Sequence, residues 1–437
     1  MLTLVLAFLA SAQAVPVTST PEGLLKFYEA LEINSMNHTI TYFEGRGLGI
    51  KLNSDVHEGD IVLKSAPVLS LCSIEPFEFS PYLKGLPSYE KLVARILYEK
   101  FIGKRGNFIT EYIHSLPVDI DTPDFWSDEE FALFHKYDLY SLPREVITKN
   151  LTESHNNFIH RVGKLIGVPK EALEYDAYLW AASMVKSRSY NFSKDTILKL
   201  FQITIDDDEY KDEEELSVMI SLLDLANHWY QPRSSTFKGR VVIWTHTPVP
   251  AFAIVAGWNQ SAGNEFFYQY NSGLNNFDLL TAFGFVIEEN PNDFMILTFS
   301  DVACFEYKAS ENSCNYRLYP GQPNKNLIKL FSIKWLQNAI FDVPETESLH
   351  EFYEKIQEEN EKHAFIQTLW SYRKQIIPRV ENMISLRQVE RDRKNAKTQR
   401  EKIIFSYAAA MRKTIYEHLK SVDRELLLIL AKGLNLS

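Results

Sequence analysis

Two kinds of apolar pattern alternate along this chain of 437 residues. Short apolar runs separated by turn residues predict β-strands, as in DIVL (residues 60–63), VLSL (68–71) and VVIW (241–244). Such runs occur early in the chain and return over residues 218–290. The pattern therefore predicts β-structure in two separate stretches.

Apolar residues spaced three and four apart predict helices over residues 20–35, over residues 89–217 and again after about residue 325. The acidic run of residues 206–215 holds eight carboxylates and one lysine, which is typical of a solvated loop. The β-structure is thus divided by a helical insert and followed by a helical tail. This order differs from the regular strand–helix alternation of a doubly wound sheet.

The N-terminal residues 1–14 read MLTLVLAFLASAQA. An apolar stretch followed by the small-x-small pattern of Ala12 and Ala14 resembles a secretory signal peptide, and a short buried helix is the alternative. No window reaches the roughly 18 uninterrupted apolar residues of a membrane-spanning helix, so no such helix is predicted. The location stays open between the secretory pathway and the cytoplasm or nucleus.

Composition and charge exclude several classes of protein. With 45% hydrophobic and 24% charged residues the chain can build a sizeable core, which excludes a disordered or fibrous protein. Its 57 acidic and 46 basic residues give a formal charge of −11, so direct nucleic-acid binding through bulk charge is not expected. Cys72, Cys304 and Cys314 are too few for a disulfide framework or, without histidines close by, a structural zinc site.

The glycine-rich segment EGRGLG (residues 44–49) has two interpretations. Glycines let a backbone approach a cofactor in the loop of Rossmann-type enzymes, but that loop leads directly into a helix. Here IKLNSD (residues 50–55) and a further apolar run follow, which indicate extended structure. A glycine turn between two strands is therefore the prediction.

Six parts of the sequence have an order and spacing that can be compared with those of a known family. The segments are GRGLGI (45–50) with DVHEGDIVL (55–63), HSLP (114–117) with PDFW (123–126), WAASMVKSR (180–188), SLLDLANH (221–228), GNEFFYQY (263–270), and LLTAFGFV (279–286) with ENPND (289–293). Together they resemble a SET-domain methyltransferase of the Rubisco large-subunit methyltransferase-like class. REKI (400–403) and DRELL (423–427) resemble the helical substrate-binding domain of that family more weakly.

The resemblance implies an α+β fold with a β-rich SET core, a helical insert and an all-α C-terminal substrate-binding domain. Its segments would be residues 25–88 and 218–295 for the core, 89–217 for the insert and 325–437 for the C-terminal domain. It also implies an S-adenosylmethionine-dependent protein N-methyltransferase that needs no metal. Lysine is the expected acceptor and histidine the alternative, on a protein substrate held by the C-terminal domain.

The resemblance also assigns roles to individual residues. Tyr270, in the segment that resembles the catalytic strand, would be the catalytic residue, and Phe283 would line the substrate channel. Arg188 would pair with the cofactor's carboxylate through its guanidinium fork. The residues that would bind the cofactor are Arg46, Leu48, Arg188, Asp224, Asn227, His228 and Phe285. Asn276 would stabilise a turn or lie close to the cofactor.

Alternatives follow from the residues themselves. Tyr270 could be a packed core aromatic, and Arg188 could form an ordinary surface salt bridge. The family usually has other residues at Asn271, Phe283 and Trp229. Together with the signal-like N-terminus, these departures motivate a second hypothesis, a non-catalytic SET-fold interaction module in the secretory pathway. Another set, the loop carboxylates Glu288, Glu289 and Asp293, is interpreted as solvated charges rather than as a hydrolase pair.

Overall fold

The computed structural model describes residues 38–44, 46–137, 144–165, 167–203, 213–229, 239–245, 250–271, 273–300, 307–310, 313–336, 341–381 and 383–433. The signal-like segment of residues 1–14 and the predicted helix of residues 20–35 lie outside the described residues. Most of the acidic run of residues 206–215 lies outside them too.

The helices and strands of the described residues follow the predicted order with two exceptions. Residues 189–193 form a strand within the predicted helical stretch, and residues 276–283 form a helix within the predicted β-stretch of residues 218–290. The strands are β1 (His38–Phe43), β2 (Gly47–Leu52), β3 (Ile61–Ser65), β4 (Ser70–Cys72), β5 (Ser189–Ser193), β6 (Glu215–Ile220), β7 (Asn227–His228), β8 (Arg240–Trp244), β9 (Ala251–Val255), β10 (Phe267–Tyr268), β11 (Met295–Ser300), β12 (Tyr307–Ser310) and β13 (Ser313–Leu318). The helices are α1 (Ser88–Phe101), α2 (Phe108–Ser115), α3 (Asp128–Tyr137), α4 (Arg144–Val162), α5 (Tyr175–Arg188), α6 (Lys194–Phe201), α7 (Asn276–Phe283), α8 (Lys325–Leu336), α9 (Leu349–Lys355), α10 (Glu359–Glu381), α11 (Leu386–Lys394) and α12 (Gln399–Gly433).

The chain forms two compact units. The first unit comprises Met1–Ile120 and Glu145–Ser272, and the second comprises Asp121–Arg144 and Gly273–Ser437. Within the described residues, no helix combines the length and apolar character needed to cross a bilayer. The four domain segments inferred from the sequence stay predictions, because the two units are defined only by which residues pack together and do not test those boundaries.

The glycine segment of the first unit is a turn between strands, as predicted. Strands β1 and β2 pair antiparallel from His38 opposite Leu52 to Phe43 opposite Gly47. Gly47 has a φ of 80°, a left-handed conformation that only glycine adopts without strain. Because a strand rather than a helix follows the glycines, the Rossmann interpretation does not apply.

Strands from the two ends of the first unit pair with each other. Strand β3 pairs antiparallel with β9, and β9 pairs with β8. Strand β4 pairs in the same way with β6, with Ser70 opposite Ile220. The helices between β4 and β5 therefore form an insert in a shared β-structure, which is what the two separate β-stretches predict.

One strand lies where only helix was predicted. Residues 189–193 belong to β5, which pairs antiparallel with β6 from Ser189 opposite Met219 to Ser193 opposite Glu215. The prediction that the insert is helical from residue 89 to 217 is wrong at this point. Strand β5 begins directly after α5, so the helical periodicity does not show where the helix ends. These five residues are extended because they pair with the remote strand β6.

The second unit is built mainly of helices around an apolar core. Its core side chains include Phe365 and Tyr372 of α10 and Ile415 and Val422 of α12, each fully buried. A small sheet with the order β11–β13–β12 lies in the same unit. The helical tail predicted after about residue 325 is confirmed.

Candidate active site

The candidate site of the first unit is built on a sharp turn after β6. The chain leaves β6 at Ile220, passes through a 3-10 turn at Leu223–Leu225 and enters β7 at Asn227. Leu222, just before the turn, has a φ of 77°. A left-handed conformation at a branched residue costs on the order of 1–3 kcal/mol, so the surrounding contacts must hold it. Such strain is common at functional sites.

Tyr270 lies against this turn. Its hydroxyl donates a hydrogen bond to the carbonyl oxygen of Ala226 at 3.1 Å, and its backbone N–H donates to Nδ1 of His228 at 3.0 Å. Burial raises the pKa of the Tyr270 hydroxyl above its usual value, so the phenol stays protonated. Tyr270 follows β10 by two residues, so it stands just beyond the strand and not in it.

Two further tyrosines stand beside Tyr270. The hydroxyls of Tyr190 on β5 and Tyr268 on β10 are 2.8 Å apart, and Tyr190 also donates to the carbonyl oxygen of Leu223 at 3.2 Å. The rings of Tyr268 and Tyr270 have centroids 5.1 Å apart. Burial raises the pKa of both Tyr190 and Tyr268. The result is a cluster of uncharged oxygens, whose partial negative charge favours a cationic group nearby.

His228 is a neutral residue that orients Tyr270. Burial lowers the pKa of its imidazole to about 4. Since Nδ1 accepts the N–H of Tyr270, the ring proton of the neutral form is on Nε2. His228 lies opposite Tyr268 in the parallel pair of β7 and β10. This pairing brings the segments of the two motifs side by side.

A buried ion pair lies next to the turn. A terminal amino group of Arg188, the last residue of α5, is 2.9 Å from Oδ2 of Asp224, which also accepts the Tyr112 hydroxyl at 2.8 Å. The Asp224 side chain is only 1% exposed. Arg188 Nε and Asp224 Oδ1 are buried, and neither has a hydrogen-bond partner among the described residues. A buried donor without a partner is costly, so Arg188 retains capacity for another acceptor.

A second charged cluster lies on the glycine hairpin. The buried carboxylate of Glu265 accepts hydrogen bonds from Arg46 Nε at 2.5 Å and from the Asn227 amide at 2.6 Å. The same amide donates to the carbonyl oxygen of Leu48 at 3.3 Å. A Cβ at Gly49 would lie 2.6 Å from Oε1 of Glu265, so this position requires glycine. Hairpin and turn are thereby held together.

Curated proteins that resemble this chain are named as lysine N-methyltransferases. No family model matches the chain. It is 24% identical over 50% of its length to the ribosomal lysine N-methyltransferase set10 of Schizosaccharomyces pombe. It is 23% identical over 56% of its length to the chloroplastic [fructose-bisphosphate aldolase]-lysine N-methyltransferase of Arabidopsis thaliana. The matches span 37% and 47% of these relatives, that is, about half of their length or less.

Solved structures match over almost the whole chain. The SET domain of LSMT bound to MeLysine and AdoHcy aligns with 94% of this chain and 92% of its own, with a TM-score of 0.61 and 12% identity. The chain has the Rubisco LSMT-like SET fold. A structure of Rubisco LSMT bound to AdoMet aligns over 93% of this chain, also with a TM-score of 0.61 and 12% identity. The predicted α+β class is confirmed.

In this SET fold most of the predicted site residues lie in one unit. Glu265 connects Arg46 with Asn227, and Asn227 also contacts Leu48. His228, next to Asn227 in the chain, contacts Tyr270 through a hydrogen bond and its ring. Asp224 lies on the turn that leads to Asn227 and pairs with Arg188 of α5. Their predicted roles toward a cofactor stay predictions, because the contacts observed are with other residues of the chain.

The predicted residues Phe283 and Phe285 lie in the second unit, with ring centroids 6.1 Å apart. Their assignments to the channel and to the cofactor stay predictions. Trp229, a departure from the family, is 47% exposed and packs on Phe267 with ring centroids 5.8 Å apart. Its ring adds an apolar surface next to the parallel β7–β10 pair.

Two polar residues of the second unit, Asn276 at the start of α7 and Asp293 in a loop, test predictions made from the sequence. The Asn276 amide is buried and bridges the backbone N–H and carbonyl of Ile287, each at 2.7 Å, which is the turn-stabilising role. Asp293 also contacts Asn276, is only 2% exposed, and burial raises its pKa to about 7. Its interpretation as a solvated charge is wrong, whereas Glu288 and Glu289 are exposed.

Sequence reasoning missed Glu265, Tyr190, Tyr268 and Tyr112. The sequence did contain an indication that Tyr268 lies beside Tyr270. Residues two apart in an extended segment share a face, and Tyr268 precedes Tyr270 by two. Glu265 was the one charge in an otherwise uncharged segment, GNEFFYQY. Among the described residues, no group of three histidine, cysteine or acidic side chains is arranged to hold a metal ion.

Proposed function

We propose that this protein is an S-adenosylmethionine-dependent protein lysine N-methyltransferase with Tyr270 as its catalytic residue. The observation that carries the proposal is the contact of the Tyr270 hydroxyl with the turn that leads to Asn227 and His228. The SET fold over nearly the whole chain supports it. So do the names of the relatives, which are lysine N-methyltransferases acting on proteins. Those names favour lysine over histidine as the acceptor.

The residues present fit S-adenosylmethionine. Arg188 Nε is buried without a partner among the described residues and would donate to the carboxylate of its amino-acid end. The Asn227 amide oxygen, which makes no hydrogen bond within the described part of the chain, would accept from the ammonium. The tyrosine oxygens suit a sulfonium cation. When bound, this cofactor supplies an electrophilic methyl group.

Tyr270 would act on the acceptor amine. Its hydroxyl donates its proton to Ala226, and a lone pair of the phenol oxygen would accept an amine N–H. That contact would fix the direction of the nitrogen lone pair, which is a positioning effect. The buried surroundings also disfavour a charged ammonium and so favour the neutral, nucleophilic amine.

The remaining residues of the cluster would position the site. His228 holds the backbone of Tyr270, and Asp224 holds Arg188. Glu265 fixes Asn227 relative to the glycine hairpin. We further propose that the helical second unit holds the protein substrate. The relatives act on different proteins by name, so we propose a protein lysine as the acceptor class without naming the protein.

Calorimetric titration with S-adenosylmethionine tests the cofactor assignment. We expect micromolar binding by the wild-type protein and at least about a tenfold loss in Asn227→Ala, because a buried hydrogen bond to a charged group contributes about 1.5–3 kcal/mol. Asn157→Ala, at an exposed position on α4, is the matched control and should bind as the wild type does. A folded wild-type protein that binds no S-adenosylmethionine would contradict the proposal.

A further inference from the structure

Helix α11 carries a row of positive charge on the face turned away from the core of its unit. Arg387, Arg391 and Lys394 are four and three residues apart, so they share one face within about 60°. All three are exposed, and Val389, on the opposite face, is fully buried. We call these three side chains the basic stripe.

The acidic residues of the same helix are already engaged. Glu390 pairs with Arg393 at 2.9 Å. Asp392 accepts the Tyr137 hydroxyl at 2.5 Å and the Gln388 amide at 2.8 Å. Among the described residues, no side chain of the basic stripe has a hydrogen bond or an ion pair. The positive charge of the stripe is therefore not neutralised by the carboxylates of the same helix.

The positive surface continues past the end of α11. Lys397, in the turn, and Lys402, in the first turns of α12, are also exposed. Arg400 between them serves the fold, since it pairs with Glu130 at 3.2 Å. Exposed cations are concentrated here although the whole chain carries a formal charge of −11. The two stripe residues in the last turn of α11 interact favourably with the helix dipole, whereas like charges four residues apart destabilise the helix.

We propose that the basic stripe binds an extended acidic segment of a protein partner and, resting on the proposed function, that this partner is the protein whose lysine is methylated. Charge complementarity carries the choice of partner. Successive stripe residues rise about 6 and 4.5 Å along the helix. Carboxylates on alternate residues of an extended peptide are about 7 Å apart, close enough for flexible arginine and lysine side chains to reach.

A nucleic acid fits the same surface less well. Residues 386–402 contain no aromatic side chain, so the stacking contacts that bind single strands are missing from this segment. A long duplex would also meet the negative charge of the rest of the chain. A short acidic peptide needs only the stripe and its extension.

Fluorescence anisotropy with the full chain tests the proposal. The probe is a labelled peptide of about twelve residues that alternates glutamate with glycine; the same peptide with glutamine and an oligouridylate of about twelve nucleotides are the comparisons. The stripe variant is Arg387→Gln/Arg391→Gln/Lys394→Gln. The control is Lys84→Gln/Lys104→Gln/Lys164→Gln, which removes the same charge from exposed lysines of the first unit.

The wild type should bind the acidic peptide at about 50 mM salt, more weakly at higher salt, and should not bind the glutamine peptide. The stripe variant should bind about tenfold more weakly and the control within about twofold of the wild type. Absence of binding, or an equal loss in the control, would overturn the proposal. Tighter, stripe-dependent binding of the oligouridylate would overturn it in favour of a nucleic acid.

The failure of this proposal is separable from failure of the proposed function. The stripe variant should keep the wild-type affinity for S-adenosylmethionine by calorimetry, because it changes none of the residues assigned to the cofactor. If the stripe variant loses peptide binding but still binds S-adenosylmethionine, the loss is due to the stripe and not to the cofactor site. Absence of S-adenosylmethionine binding concerns the methyltransferase assignment and leaves the peptide titration valid.

Discussion

Individual side chains around Tyr270 are held by contacts that come from distant parts of the chain. Asp224 is an example, because its carboxylate receives hydrogen bonds from Tyr112 and Arg188. Removing one member of such a buried pair leaves the other charge unpaired, which costs more than the pair contributes. The site is therefore sensitive at residues that do not touch a substrate.

Asp224→Asn should lower the free energy of unfolding by about 2–3 kcal/mol, because Arg188 loses its counter-charge. The loss is moderated because the Arg188 side chain is 21% exposed to solvent. Urea denaturation measures the change. Asp342→Asn is the matched control, because Asp342 is 75% exposed in its pair with Lys329 and should change stability by less than about 1 kcal/mol. Equal effects of the two substitutions would show that the buried pair has no special role.

At the residue scale, the motifs predicted the site only in part. Tyr270 and Asn227 were predicted because each lies in a segment with a characteristic order of residues, and their roles stay predictions. Glu265 and Tyr190 were not found, because their importance depends on contacts with Asn227 and Tyr268 that no local pattern records. Arg188 was expected to face a ligand carboxylate, and an intramolecular partner, Asp224, occupies one of its amino groups.

At the scale of elements, the second unit is stabilised by a buried polar chain between two helices. His418 of α12 is fully buried; Nε2 accepts the Tyr372 hydroxyl of α10, and Nδ1–H donates to the carbonyl oxygen of Tyr319 at 2.8 Å. Burial lowers the pKa of His418 to about 4. The helices are thus joined through a histidine that must stay neutral.

The stability of the protein should therefore fall as the pH falls from about 6.5 toward 4. In this range the unfolded chain binds a proton at His418, with a usual pKa of about 6.5, while the folded chain does not. The slope attributable to this residue approaches about 1.4 kcal/mol per pH unit. Urea denaturation from pH 7.5 to 5 measures it, and His418→Gln should show the smaller slope. Identical slopes would contradict the assignment.

Helices were easier to predict than strand pairing. Helix α12 was visible from its apolar stripe, and Ile404, Tyr407 and Ile415 are indeed buried. Strand β5 was not visible, because its five residues follow α5 directly and pair with β6 more than twenty residues later. The parallel pair of β7 and β10 is only two residues long on each side, too short for any periodicity.

At the scale of the whole molecule, order along the chain carried more information than any single motif. The order of segments predicted the SET fold that aligns with 94% of the chain. The division into two compact units was not foreseen, because Asp121–Arg144 belongs with the second unit although it lies within the predicted insert. Its helix α3 packs on α12, a contact between remote segments that apolar spacing does not encode.

The central claim is that Tyr270 serves transfer of a methyl group to a protein lysine, and labelled methyl incorporation measures it most directly. Wild-type protein, Tyr270→Phe and the matched control Tyr416→Phe, whose ring is 60% exposed, are incubated with methyl-labelled S-adenosylmethionine and an extract of source-cell proteins. We predict label on lysine with the wild type and the control, and at least about a hundredfold less with Tyr270→Phe. No lysine label with the wild type, or equal label with Tyr270→Phe, would contradict the account.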